Sequence, residues 1–401
     1  MERQPRRRWP VPVALSVVAL VVVLLLVNEF RPVTAVAATQ SLAASTTKGS
    51  AADLPWPAGA QAAIGVEGAG VLASSSAAKP LPIASVAKVM TALVTLEAKP
   101  LKPGQQGPEI NVTADDVNTY QRDNAGGGSV VAVQAGEQLS EFQALEGLLV
   151  ASGNNIATLL ANWAFGSTRA AVDRMNEKAT ELGLARSHFT DPSGLEPQTV
   201  STPADLVLLG EAAMQQQVIA NIVGEEQATL PVAGVIPNVN YHLGTNFIVG
   251  IKTGSAPQAG AVYLFAATHQ MPDGKIVLIF GAVQNLHTLD MAFAAADNLL
   301  AFVRQRLQVQ HVVSRNQTVG RIDAPWGSAS DLVAGKDLDI DTLSGMVVRS
   351  RLQAEVSGAV AAGDQVGSLH VSAGESSYDV PVNAADGISA PGRLWRLTRT
   401  G

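Results

Sequence analysis

The seventeen residues from Val11 to Val27 carry no charge, and Arg3, Arg6, Arg7 and Arg8 precede them. A run of this kind has to be buried, either in protein or in lipid. Its charged flanks and terminal position disfavour a core helix. Basic residues ahead of an apolar stretch hold the N-terminus inside and send the downstream chain outside. The run is at the short end of a membrane span and long for the apolar region of a secretory signal. The reading is a basic stub and transmembrane anchor over 1–33, with residues 11–27 in the membrane. A cleaved signal is the alternative, because the small-residue site Ala35-Val36-Ala37 lies just downstream, although Asn28, Glu29 and Arg31 lie between. Either way the rest of the chain is extracytoplasmic, single-pass at the cell membrane or secreted.

Composition narrows the exported part. Hydrophobic residues are 47% of the 401, enough for a sizeable core, and only 15% are charged, which argues against a mainly disordered chain. The formal net charge of -7 disfavours nucleic acid as a partner. The chain has no cysteine, which excludes a thiol nucleophile, a disulfide scaffold and a cysteine-held metal. No His-x-x-x-His or His-Glu pairing supports a metal site of another kind.

Residues 34–57 are rich in Ala, Ser, Thr and Pro with little periodicity, and read as a linker. Ala60 to Ser74 reads as a hairpin turning near Gly68–Gly70. Ser85 to Glu97 reads as a helix with a broad apolar face, stopped by Pro100 and Pro103. Ser140 with Gln143 is a capping box that opens a second helix, ending at Ser152-Gly153-Asn154. Further helices are expected from Asn155 to Phe165, from Thr168 to Leu182 and from Thr202-Pro203 to about Gln217. Strands come next: Phe247 to Lys252, then Ala261 to Thr268 and Lys275 to Val283, the last two joined by the turn Pro272-Asp273-Gly274. A long helix is expected from Leu289 to Leu307. This order predicts an α/β unit over 58–307 whose sheet takes strands from both ends around a helical insert. Short apolar runs from 308 to 401 predict a small all-β domain.

Three segments carry candidate chemistry: Ser85-Val86-Ala87-Lys88, Ser152-Gly153-Asn154 and Lys252-Thr253-Gly254. Ser85 stands at a helix start, where the dipole favours an anionic intermediate. Lys88, one turn on, is the only charge between Leu81 and Leu96. An amine in apolar surroundings loses solvation, its pKa falls, and it can take a proton from a neighbouring hydroxyl. Ser152 can relay a proton, and the Asn154 amide can bind a carbonyl. Lys252 is a fixed cation, and Gly254 lets a second backbone approach an extended strand. Taken singly, each segment has a bland reading: a helix cap, a snorkelling lysine, a turn.

Together and in this order, the segments form the set shared by penicillin-binding proteins and class A β-lactamases. Ser85 to Ala92 resembles the active-site helix of the D-alanyl-D-alanine carboxypeptidases, the low-molecular-weight penicillin-binding proteins. So do Gly136 to Leu139 with Leu148 to Asn155, Met175 to Ala179 with Leu182-Gly183-Leu184, His188 to Leu195, and Asn246 to Gly254. The resemblance covers roughly Ala60 to Leu307. It implies a β-lactamase/transpeptidase-like antiparallel sheet flanked by helices, with a helical insert and a C-terminal all-β domain. It also implies that Ser85 attacks the bond between the last two D-alanines of a peptidoglycan stem peptide while Lys88 takes its proton. Ser152 would pass the proton to the leaving amine. Asn154, Lys252, Thr253, Gly254 and Ser255 would bind substrate, with the Ser85 and Ser255 backbone N–H groups as the oxyanion hole. β-Lactams would acylate Ser85. No metal or organic cofactor is implied.

Asn155 stands where the family commonly has an acidic residue, and Ser255 is smaller than the residue often found after Lys-Thr-Gly. Leu394 to Gly401 reads as too short for the family's C-terminal amphipathic helix, and the N-terminal anchor would take its place. A β-lactamase is an alternative, disfavoured because no Glu-x-x-x-Asn lies between Asn154 and Lys252. A non-catalytic penicillin- or wall-binding protein on the same scaffold is another. A Ser-His-Asp hydrolase is remote, since Gly-x-Ser-x-Gly is missing.

Overall fold

Helix α1 (Val11–Phe30) is apolar over its whole circumference and, from Val13 to Phe30, long and apolar enough to cross a membrane. In the computed structural model, the described residues are 11–49, 53–75 and 79–399. The basic stub with Arg3, Arg6, Arg7 and Arg8 lies outside them.

Three short strands come after it: β1 (Val36–Ala37), β2 (Thr39–Gln40) and β3 (Ser45–Thr47). The hairpin of β4 (Gln61–Val66) and β5 (Gly70–Ser74) turns through Gly68 and Gly70, both at positive φ. β6 (Leu81–Pro82) and one 3-10 turn, Ala84–Val86, precede α2 (Ala87–Ala98). Next come β7 (Glu109–Asn111), α3 (Ala114–Ala125), β8 (Gln138–Ser140), α4 (Glu141–Leu149), α5 (Asn154–Phe165) and α6 (Thr168–Glu181). The expected capping box of Ser140 and Gln143 opens α4, and a second one, Thr113 with Asp116, opens α3. β9 (Val200–Ser201) leads to α7 (Pro203–Met214), capped by the Thr202 side chain, and to α8 (Gln217–Val223). The helix expected to end near Gln217 stops at Met214, the chain bends by 106°, and α8 was not foreseen. The hairpin of β10 (Gln227–Leu230) and β11 (Gly234–Pro237) closes the insert.

β12 (Ile248–Ala256), β13 (Gly260–Gln270) and β14 (Ile276–Leu286) then join the first hairpin in an antiparallel five-stranded sheet of order β12-β13-β14-β4-β5. Strands from both ends of the unit thus share one sheet around the helices. β13 is buried on both faces, which accounts for its unbroken apolar run. Val262, Leu264 and Ala266 face the helical core containing α2, whereas Tyr263, Phe265 and Ala267 face α9 (Leu289–Arg304). The helix expected to reach Leu307 stops at Arg304, and Leu307 begins β15 (Leu307–Val313).

The C-terminal strands are β16 (Thr318–Ala324), β17 (Ser328–Ala334), β18 (Leu338–Leu343), β19 (Val347–Val356), β20 (Gln365–Ala373) and β21 (Ser376–Ala384), before the short α10 (Arg393–Thr398). Gly345 turns at positive φ between β18 and β19, and β19 continues unbroken to Val356.

The expected linker differs most from the structure. The C-terminal sheet runs β1-β19-β20-β21-β17-β16-β2, with β3 also on β19. β1 pairs Val36 with Val356, and β2 pairs Thr39 with Arg321. Residues 36–40 therefore tie the two edges of the sheet together, which leaves less edge exposed for unwanted pairing. The physical reason the sequence hid this is that these strands hold mainly through backbone ladders. Strands of two or three residues, Val-Ala, Thr-Gln and Ser-Thr-Thr, carry no period-two signature.

Candidate active site

Ser85 lies in the 3-10 turn ahead of α2, next to Ala84, whose φ of 45° is unusual for a residue with a side chain. Strain of this sort is held by its surroundings. Gly194, itself at φ 77°, passes so close that a Cβ there would lie 1.8 Å from the Ala84 carbonyl oxygen. On the other side, a Cβ at Gly254 would lie 2.8 Å from the Ile83 carbonyl oxygen and 3.2 Å from the Ser85 nitrogen. The glycine of Lys-Thr-Gly thus lets β12, an edge strand, lie against the nucleophile turn.

Lys88 is fully buried one turn into the helix. Its Nζ lies 2.7 Å from Ser85 Oγ, 2.7 Å from Asn154 Oδ1 and 2.9 Å from the Ser193 carbonyl oxygen. Burial first, and then the charge of Lys252, hold its pKa well below the ordinary lysine value; Asp191 and Asp123 pull the other way. Lys252 on β12 is 1% exposed, and burial pushes its pKa down to about 7. Its Nζ donates to the Thr253 carbonyl at 3.2 Å. Ser152 is buried at a positive φ of 62° between α4 and α5, and Asn154 starts α5. Thr253 is buried and Ser255 is exposed farther along β12. Lys88 therefore contacts both Ser85 and Asn154, which are far apart in sequence, and the third segment, on β12, lies alongside the nucleophile turn.

Asn155 has a structural task. It accepts from the Val131 N–H at 3.0 Å and donates to the Val131 carbonyl at 2.8 Å. An ionised carboxylate accepts only, so the amide does here what an acidic residue does not.

Some of the site lay outside the sequence motifs. Asp191 Oδ2 accepts from the Ser193 N–H (3.1 Å), Ser193 Oγ (2.6 Å) and the Leu195 N–H (2.9 Å), while Asp191 Oδ1 accepts from Thr199 Oγ1 at 2.7 Å. That loop presents the Ser193 carbonyl to Lys88. Asn154 N–H donates to the Ser129 carbonyl at 2.8 Å, and a Cβ at Gly128 would lie 2.7 Å from Asn154 Nδ2. The signals were an Asp-Pro-Ser-Gly turn and three successive glycines, Gly126 to Gly128, whose partners only the fold reveals.

A family model for D-alanyl-D-alanine carboxypeptidases of peptidase class S11 matches residues 47–282. The chain belongs to this family. It is a serine-type D-Ala-D-Ala carboxypeptidase, a hydrolase of peptidoglycan. It is similar to the D-alanyl-D-alanine carboxypeptidase DacF of Bacillus subtilis (strain 168), 26% identical over 348 residues, which cover 82% of this chain and 85% of that protein. It is also similar to DacB2 of Mycobacterium tuberculosis, 37% identical over 153 residues, 37% of this chain and 48% of that one. Among solved structures, the carboxypeptidase DacD of Francisella tularensis superposes with a TM-score of 0.65 at 18% identity, covering 84% of this chain and 95% of that one. Penicillin binding protein 5 of Haemophilus influenzae does so with a TM-score of 0.64 at 19% identity, covering 85% and 99%. These structural likenesses support the carboxypeptidase fold, including its C-terminal β-strands.

Proposed function

We propose that Ser85 is the acylated nucleophile of this carboxypeptidase and Lys88 its base. The observation carrying this reading is the 2.7 Å contact of a buried lysine amine with a serine hydroxyl. Neutral Lys88 takes the Ser85 proton as Oγ attacks the carbonyl between the two terminal D-alanines. The oxyanion is met by the Ser85 and Ser255 backbone N–H groups. Ser152 hands the proton to the departing D-alanine amine, and the C–N bond breaks. Water then adds to the ester, leaving the shortened stem peptide and free Ser85. The stem lies along the edge of β12, with Asn154 on its amide and Lys252, Thr253 and Gly254 near its terminal carboxylate. A β-lactam acylates the same oxygen and blocks it.

Residues 11–27 anchor the chain in the cell membrane, with the catalytic unit over 58–307 outside the cytoplasm and the β-unit over 308–401 built together with residues 36–47. The test is labelling of the full chain in detergent with a fluorescent penicillin, alongside D-alanine release from a diacyl peptide ending in D-Ala-D-Ala. Labelling that persists in Ser85→Ala refutes the nucleophile. Nitrocefin turnover without D-alanine release refutes the carboxypeptidase in favour of a β-lactamase.

A further inference from the structure

Thr91 sits on the active-site helix, yet the acyl-transfer steps leave it without a task. It follows Lys88 by three residues, as Lys88 follows Ser85, so the three side chains share one stripe of the turn and helix. Thr91 is 1% exposed, and a buried hydroxyl needs a partner. Its Oγ1 donates to the Pro192 carbonyl at 2.6 Å, which bonds α2 to the loop that follows Asp191. Met175 Sδ, at 3.7 Å, is a weaker acceptor.

The Pro192–Ser193 peptide is thereby held at both ends. Its carbonyl accepts from Thr91 Oγ1, and its N–H donates to Asp191 Oδ2 at 3.1 Å. A planar peptide pinned in this way does not rotate freely. The next carbonyl, that of Ser193, is the one that accepts from Lys88 Nζ at 2.9 Å. Asp191 and Gly194 shape the loop from within, whereas Thr91 bonds it to the helix that carries Lys88.

The direction of the Ser193 carbonyl matters because of how a neutral amine is built. Without its extra proton, Nζ has two N–H donors and one lone pair. Asn154 Oδ1 at 2.7 Å and the Ser193 carbonyl at 2.9 Å take the two donors. The lone pair is left facing Ser85 Oγ, 2.7 Å away. If the Ser193 carbonyl swings aside, an N–H can turn to Ser85 Oγ instead. An amine that donates to the nucleophile does not take its proton.

We propose that Thr91 is a positioning residue for the acylation base: by holding the Pro192 carbonyl it aims the Ser193 carbonyl at Lys88 Nζ and so points the amine's lone pair at Ser85. The proposal rests on the reading of Lys88 as that base. Thr91 is buried behind Lys88 and acts through it.

The experiment measures the acylation rate of Ser85 by a fluorescent penicillin as a function of pH, on the full chain in detergent, for the parent, Thr91→Val and Thr91→Ser. Rates are taken at a temperature where thermal melting shows each protein folded. Valine keeps the shape and removes the hydroxyl; serine keeps the hydroxyl and removes a methyl. Thr91→Val is expected to lower the rate about tenfold, less than losing a general base outright. Its rate is also expected to rise at lower pH than the parent's, because the Lys88 ammonium has lost an acceptor. Thr91→Ser is expected to keep the parent's rate within about twofold and the parent's pH profile, even with a lower melting temperature. If the valine variant does not fold, Thr91→Ala removes the same hydroxyl without setting a methyl against the Pro192 carbonyl. A parental rate without the hydroxyl overturns the proposal. So does a serine variant as slow as the valine one, or a slower rate with an unmoved pH profile, since both mark a purely structural role. Lys88→Arg separates the two readings. Parental acylation in that variant removes Lys88 as the base, whereas a slow Lys88→Arg beside a parental Thr91→Val refutes the positioning role alone.

Discussion

Lys88 Nζ and Ser85 Oγ are 2.7 Å apart in a pocket closed to solvent on the lysine side. The oxygens of Asn154 and Ser193 complete its shell with two further acceptors. Those acceptors suit an ammonium, while burial and the neighbouring Lys252 charge favour the amine, and the balance lowers the pKa. The site therefore holds an amine whose proton affinity is lowered and which is sterically committed to one hydroxyl.

The acylation rate depends on that balance. Only the neutral amine accepts the Ser85 proton, so labelling by fluorescent penicillin is expected to rise with pH through a pKa well below that of free lysine. Lys88→Arg is expected to cut the rate by at least about 100-fold, because a guanidinium does not deprotonate and a missing general base costs that much. A rate that climbs only in the normal lysine range, or a fully active Lys88→Arg, contradicts the assignment.

Lys252 has the opposite requirement. Its pKa of about 7 means that the cation is present below neutrality and fades as pH rises. KM for peptides with a free terminal carboxylate is expected to increase above pH 7 more than KM for amidated ones, although a bound carboxylate shifts the lysine upward. Lys252→Ala is expected to raise KM for the free acid and to flatten that pH dependence. Equal loss for acid and amide excludes a carboxylate contact.

The parts of the site legible in the sequence were those carried by local pattern. A serine at a helix start with a lysine one turn on, and a glycine beside a strand lysine, each have a short-range physical signature. The acceptors that complete the Lys88 shell do not. The Ser193 carbonyl is backbone, and no residue type marks it. The role of Asn155 depends on Val131, twenty-four positions away. In the fold, the five-stranded sheet was readable because β13 and β14 are long and joined by a marked turn. The closure of the C-terminal sheet was not, because β1 and β2 are two residues each and their partners lie some three hundred residues downstream. Tertiary pairing decided these strands, not propensity.

Acid–base behaviour away from the site offers a separate check. Burial, and after it the neighbouring Glu225, raises the pKa of Glu146 on α4 to about 7. The Glu225 carboxyl is also raised, chiefly by burial. The folded state then binds more protons than the unfolded chain between the ordinary glutamate range and pH 7, so stability falls as pH rises through that window. Glu146→Gln removes part of this dependence, and its melting temperature is expected to drop less than that of the parent between pH 5 and pH 8. Parallel melting curves across that range rule out the raised Glu146 pKa.

The N-terminal strap gives the remaining prediction, because it bears on anchoring. Gln40 joins β2 to the opposite side of the sheet: its Oε1 accepts from the Leu352 N–H at 2.7 Å, and its Nε2 donates to the Leu42 carbonyl at 2.9 Å. The Ser41 N–H donates to the Val319 carbonyl at 2.9 Å. Gln40→Ala leaves the Leu352 N–H without its acceptor and is expected to cost about 1–3 kcal/mol. Ser41→Pro deletes a backbone donor and is expected to cost a similar amount. Both losses are expected as a lower melting temperature, with penicillin acylation of Ser85 unchanged. Cleavage after Ala37 would leave β1 detached from β2, removing one of the three pairings that residues 36–47 make with the C-terminal sheet. Intact mass of the membrane-bound protein is accordingly expected to show the residues before Val36 still attached. A mature chain beginning at Ala38, with an undiminished melting temperature, would show that the strap is dispensable.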